Sequence, residues 1–220
     1  MRIGFLLFDQ VTQLDLTGPA QVLARLPGAE IILAAKTRDP VATDCGFSIL
    51  PTHAFDEAGP LDVICAPGGY GVAAAMGDDE TRAFVASAAE GARYVTSVCT
   101  GGFILGAAGL LKGKRATSHW AYLDLLSLLG AAPISQRVVR DGALITGAGV
   151  TAGIDFALVL AAEIAGEDTA RAIQHGLEYD PAPPFAGAPP HAVRRKLDAA
   201  FEARRAVMRR ACEAEVAAER

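Results

Sequence analysis

The sequence predicts an α/β protein with a mostly parallel sheet and helices on both faces, and three observations lead there. Short runs rich in apolar and β-branched residues recur along the chain without polar alternation (2–8 "RIGFLLF", 29–37 "AEIILAAKT", 61–69 "LDVICAPGG", 93–98 "RYVTSV"). Strands buried on both faces read this way. Segments with helical spacing separate these runs, and parallel strands need such crossovers. Finally, 220 residues, 51% hydrophobic and 20% charged, suffice for one domain with a substantial core.

In chain order, 2–8 is a buried strand, and "PAQVLARL" (19–26) is a short helix with proline in its first turn. After the strand at 29–37, "CGFSILPTHAF" (45–55) is extended and forms a small hairpin beside the main sheet. The strand at 61–69 ends in glycines, and "DDETRAFVASAAEG" (78–91) is a helix with acidic residues in its first turn. The strand at 93–98 passes into "GGFILGAAGLL" (101–111) as helix, followed by "KRATSH" (114–119) as strand and "WAYLDLLSLLGA" (120–131) as helix. Asp141-Gly142 between two extended runs (137–147) marks a hairpin. "TAGIDFALVLAAEIAG" (151–166) is a long apolar helix, and 191–220 reads as one helix of mixed charge.

A net charge of −5 argues against nucleic acid as a partner. The apolar start meets Asp9 too early for a signal peptide, and no apolar run reaches membrane-spanning length, so a cytoplasmic, soluble protein is expected. The four cysteines, Cys45, Cys65, Cys99 and Cys212, are widely spaced with no Cys-x-x-Cys pair, which predicts neither a metal site nor a disulfide framework. Cys65 reads as an inert thiol inside a strand, Cys45 lies in a turn, and Cys212 falls on the charged terminal helix.

Cys99 has a different context. In Ser97-Val98-Cys99-Thr100-Gly101-Gly102 it stands where a strand turns sharply into a helix, the geometry that lifts a nucleophile above a sheet. A helix N-terminus favours thiolate, so Cys99 is expected to be more acidic than a free thiol. Packing of a small residue in a tight turn is the competing explanation. Ligands of parallel sheets bind at the carboxyl ends of strands, so Asp15, Gly68-Gly69 and Cys99 should meet at one edge. Gly68 and Gly69 offer backbone N–H groups for an anion nest or oxyanion hole, or simply make a turn. Asp15 precedes the helix-start signal Thr17-Gly18-Pro19, where a carboxylate also serves helix entry. His119 follows a strand, where it either pairs with the thiol for acyl transfer or serves structurally beside Trp120. His53, His175 and His191 receive no role.

The stretches "DLTGP" (15–19), "DVICAPGGYG" (62–71), "SVCTGGFILGAAGLLKGKRATSHW" (97–120) and "GVTAGIDFAL" (149–158), in this order, resemble the ThiJ/PfpI superfamily. That resemblance implies a flavodoxin-like, class I glutamine amidotransferase-like fold with a nucleophile-elbow cysteine. It covers residues 1 to about 180, leaving 181–220 as a Pro-rich connection and C-terminal helix, packed on the domain or at a dimer interface. Two subgroups look closest: isocyanide hydratases and the amidase-like sensor domains of AraC-type regulators. The regulators append a DNA-binding region of roughly 100 residues, and the tail here is shorter. Its arginines also alternate with Asp198, Glu202, Glu213 and Glu215, poor design for phosphates.

The resemblance implies a cofactor-free, cysteine-dependent hydro-lyase acting on a small-molecule isocyanide, as a homodimer. Cys99 would attack the isocyanide carbon to form a thioimidate, and Asp15 would give that carbon a proton and then draw one from water. Many superfamily members place a glutamate against the thiol; the shorter Asp15 leaves room for a substrate atom or water. Thr100 would cap the helix and touch the carboxylate or bound water. Gly68, Gly69, Ala148, Gly149 and Val150 would line the pocket, with His119 nearby. The alternatives are a glyoxalase or deglycase of the same superfamily, or a non-catalytic ligand or redox sensor.

Overall fold

The computed structural model describes residues 1–185, 187 and 199–218. Seven strands form the central sheet: β1 (Arg2–Leu6), β2 (Glu30–Ala35), β5 (His53–Ala54), β6 (Val63–Ala66), β7 (Tyr94–Val98), β10 (Val138–Asp141) and β11 (Leu144–Gly147). Their order is β10-β11-β7-β6-β1-β2-β5, parallel throughout except for the β10–β11 hairpin at the edge. Side chains alternate across it, so Phe5 turns into one core and Leu6 into the other. One core lies under α1 (Gln13–Leu23), α5 (Ala152–Ala165) and α6 (Glu167–Gly176). The other lies under α2 (Val72–Met76), α4 (Gly102–Ala107), the 3₁₀ helix Leu123–Leu129 and the terminal helix α7 (Ala199–Ala218). Helix α3 (Asp79–Gly91) flanks this second layer, its N-cap Asp78 accepting from the Thr81 N–H at 2.8 Å.

The expected α/β architecture is present, and several elements differ from their sequence-based bounds. Helix α1 begins at Gln13, so Pro19 falls inside it and Asp15 in its first turn. Pro19 deprives the Asp15 carbonyl of its helical donor but allows close packing: a Cβ on Gly153 of α5 would come 3.1 Å from its ring. The extended run at 45–55 divides. Strands β3 (Val41–Ala42) and β4 (Ser48–Ile49) pair as a separate antiparallel ribbon, while β5 joins the main sheet beside β2.

"KRATSH" contributes only β8 (Arg115–Ala116), paired with β9 (Ala132–Pro133) outside the main sheet. The following segment winds as a 3₁₀ helix, since Leu123, Leu126 and Leu129 recur every three residues, and Gly130 at φ 77° ends it. The helix after Cys99 is short, ending at Ala107 shortly before Gly109 at φ +78°.

Cys212 is fully buried rather than displayed on a charged face, and Met208 beside it in the same core is 5% exposed. Arg82 donates twice to Glu215, at 2.8 and 2.7 Å, which ties α7 to α3. His191, most of the Pro-rich connection and the first part of the expected terminal helix lie outside the described residues. Among the described residues no helix is long and apolar enough to cross a membrane, and no three His, Cys, Asp or Glu side chains gather as a metal site.

Candidate active site

Strand β7 delivers Cys99 at the carboxyl edge of the sheet. Its backbone takes φ 58°, in the left-handed region that costs a non-glycine residue strain, and it opens the 3₁₀ turn Cys99–Gly101. The turn is fixed on both sides: the Cys99 N–H donates to the Ala148 carbonyl at 2.8 Å, and the Ser118 hydroxyl donates to the Cys99 carbonyl at 2.6 Å. A Cβ on Gly101 would stand 1.9 Å from the Ala66 carbonyl oxygen, so only glycine permits this passage between β6 and β7.

Asp15 arrives from α1 and is fully buried. Its Oδ2 accepts the Gly68 N–H at 2.9 Å, while Oδ1 has no hydrogen-bond partner. Burial raises the Asp15 carboxyl from 3.8 to about 7, against the opposing pull of the Gly68 N–H and Cys99; Asp44 adds to the rise. Burial and the Asp15 charge together push the Cys99 thiol well above its ordinary value, and the Thr100 N–H and hydroxyl only partly counter them. The expectation of an unusually acidic thiol is therefore overturned. The helix behind Cys99 is only six residues long, and so short a dipole does not outweigh desolvation. At rest the thiol keeps its proton, and the two groups titrate as a coupled pair.

Cys99 and Thr100 face a cavity of about 210 Å³ lined by Thr12, Asp44, Gly69, Tyr70, Cys99, Thr100, His119, Tyr122, Val150, Phe201 and Arg204, while the fully buried Asp15 is not among its lining residues. Its size suits a small molecule rather than a polypeptide. Gly69, Cys99, Thr100, His119 and Val150 are thus brought together as the sequence implied. Gly68 and Ala148 are not among the lining residues and serve the framework: one holds Asp15, the other Cys99.

Neither glycine N–H is left for an anion nest, because Gly68 donates to Asp15 and Gly69 donates to Thr100 Oγ1 at 3.1 Å. Thr100 therefore makes no helix cap with its side chain; its hydroxyl bridges Gly69 and the Cys99 thiol. His119 lies against Gly149, where a Cβ would come 3.2 Å from its ring. Burial lowers its pKa, its Nδ1 accepts the Ala121 N–H at 3.3 Å, and no hydrogen bond joins it to Cys99.

Sequence reasoning missed Thr12, Asp44, Tyr70, Tyr122, Phe201 and Arg204. Tyr70 lies inside the 62–71 motif and Tyr122 two residues beyond the 97–120 motif, so both were within reach. Asp44 comes from the β3–β4 ribbon, where it accepts the Thr12 hydroxyl at 2.6 Å, and Phe201 and Arg204 come from α7. No local pattern announces such contacts.

A sheet of this order, with a strained cysteine at the end of β7 and a buried carboxylate against it, defines a cysteine-elbow α/β protein of the DJ-1/PfpI type. The chain belongs to the DJ-1/PfpI family, which residues 1–163 match. It is 58% identical over 201 residues to the isonitrile hydratase of Pseudomonas putida, covering 91% of this chain and 88% of that one. A crystal structure of a ThiJ/PfpI family protein from Pseudomonas syringae superimposes with a TM-score of 0.92 at 44% identity, over 96% of this chain and 90% of the other. The HTH-type transcriptional regulator GbdR of Pseudomonas aeruginosa is 30% identical over 187 residues, which is 81% of this chain but only 50% of the regulator.

Proposed function

We propose that this protein is an isocyanide hydratase, adding water to R–N≡C to give the N-substituted formamide R–NH–CHO. The observation that carries the reading is the buried Asp15, anchored through one oxygen to Gly68 and with the other unpartnered, in electrostatic contact with the Cys99 thiol beside a small cavity. The similarity to a hydratase over nearly the whole chain supports it.

A carboxyl near 7 and a thiol that resists ionisation suit proton exchange between the two groups. Asp15 takes the thiol proton as the sulfur bonds to the isocyanide carbon, then passes it to that carbon, leaving a thioimidate R–N=CH–S–Cys99. The carboxylate next draws a proton from water as the hydroxyl adds to the same carbon, and hands that proton to the nitrogen. The C–S bond then breaks as the carbon-bound hydroxyl gives up its proton through Asp15 to the sulfur, and the formamide leaves. Thr100 orients the sulfur through its N–H and hydroxyl. Neutral His119 serves as wall rather than base. A homodimer and a cytoplasmic setting belong to the same proposal, and sedimentation tests the former.

The test is turnover of an aryl isocyanide followed by NMR. Formamide should appear with the wild-type protein and fall by at least about 10³-fold for Cys99→Ala, which removes the covalent route. Full turnover by Cys99→Ala would remove the proposed nucleophile. Conversion of methylglyoxal to lactate with no formamide from the isocyanide would favour the glyoxalase alternative. No turnover of either substrate would favour a sensor.

A further inference from the structure

The part of the cavity wall that hydration chemistry leaves unused comes from α7. There the Arg204 guanidinium lies 4.9 Å from the centroid of the Tyr70 ring and 5.9 Å from that of Phe201, and beside the Tyr122 hydroxyl. Ring contacts of this kind fix the guanidinium without consuming its in-plane N–H groups. Nε is buried and has no hydrogen-bond partner. Arg204 forms no ion pair among the described residues, whereas the next residue, Arg205, pairs with Asp124 at 2.6 Å. Asp44, the acid on the same wall, is hydrogen-bonded by the Thr12 hydroxyl.

An isocyanide is linear at nitrogen. With its terminal carbon at the Cys99 sulfur, its R group must project away into the rest of the cavity, which Tyr70, Phe201 and Arg204 enclose. A desolvated N–H without an acceptor is costly, and a ligand that supplies an anionic acceptor removes that cost. We propose that Arg204 is a specificity-determining residue that selects isocyanides whose R group bears a carboxylate. This inference rests on the hydratase reading. The rings of Tyr70 and Phe201 flank the guanidinium, and α7 is thereby part of the site rather than an appendage.

The experiment compares kcat/KM for 4-isocyanobenzoate and isocyanoacetate with that for their methyl esters, which keep the isocyano group and lose the charge. The wild-type protein should prefer each acid over its ester by about tenfold or more. Arg204→Gln should bring that ratio close to one, chiefly by raising KM for the acids. Arg204→Lys, which keeps the charge but not the planar fork, should retain an intermediate preference. Equal use of acid and ester by the wild-type protein, or an unchanged ratio in Arg204→Gln, overturns the inference while leaving the hydratase reading intact. Failure of every acid and ester to yield formamide overturns the hydratase reading and this inference with it. Ester turnover by the variants also reports that they are folded.

Discussion

A cysteine at φ 58° and a carboxylate in full burial are both unfavourable local choices, and each is stabilised only by what surrounds it. Gly68 is the keystone of that surround. A Cβ there would come 2.7 Å from Asp15 Oδ2, Thr100 N and Thr100 Oγ1 alike. Gly68→Ala is therefore expected to displace the Asp15–Thr100 pair by several tenths of an ångström and lower kcat by about 100-fold. Overpacking should cost about 1–3 kcal/mol of stability, measurable by urea unfolding.

The protonation state gives a second expectation. Asp15 accepts the thiol proton only when ionised, so kcat/KM should rise with pH on the acid side with an apparent pKa near 7, a value belonging to the coupled pair. A profile flat between about pH 5.5 and 8.5 would sink the proton-exchange role. At this scale the sequence was informative about position and poor about electrostatics. Cys99 is legible because an elbow is written in adjacent residues, β-branched before and glycine after. Its raised pKa is not, because burial is the work of residues far away in the chain.

Elements carry the same lesson. The apolar runs at 93–98 and 151–166 became a strand and a helix close to their expected bounds, while the run at 61–69 kept only 63–66 as strand. After Cys99, where glycines interrupt the helical spacing, and after Trp120, where leucines recur every three residues, only short or 3₁₀ helices formed, and the start of α1 was hidden by Pro19. The terminal helix, a mixed-charge segment, buries Met208 and Cys212 and brings Phe201 and Arg204 to the cavity, contacts that no local pattern announces.

Phe201 stacks on Trp120 with centroids 6.2 Å apart, and Arg205 donates to the Ala121 carbonyl, so α7 is held close to the segment that supplies Tyr122. Loosening α7 from below should therefore be felt in the site. Met208→Ala, which leaves a void under the helix without touching the cavity, is expected to cost about 2–4 kcal/mol in unfolding experiments. It should also raise KM for isocyanides more than it lowers kcat, because Phe201 and Arg204 shift while Cys99 and Asp15 stay in place. A loss confined to kcat would contradict this division of labour.

At the scale of the whole molecule, parallel topology collects at one edge what the chain scatters: Asp15 from the first helix, Cys99 from the central strand, Val150 ahead of α5 and Arg204 from the last helix. That edge is built at the expense of stability, and Asp15 allows the cost to be read globally. The folded protein holds the Asp15 proton up to about 7, while the unfolded chain releases it near 3.8. Between those values the native state binds more protons than the unfolded one, so this residue's contribution to stability falls as pH rises through the window and stays at its minimum above it.

The shift corresponds to about 4 kcal/mol at most. Asp15→Asn keeps an acceptor for the Gly68 N–H but has no charge to bury. It should therefore match the wild-type protein near pH 4 and exceed it in stability increasingly toward pH 8, by up to about 4 kcal/mol, while losing formamide production. Urea unfolding of both proteins across that range measures the difference. A stability gap independent of pH would mean that burial does not raise the Asp15 carboxyl, and so weak a base would not take the thiol proton that the mechanism passes to the isocyanide carbon.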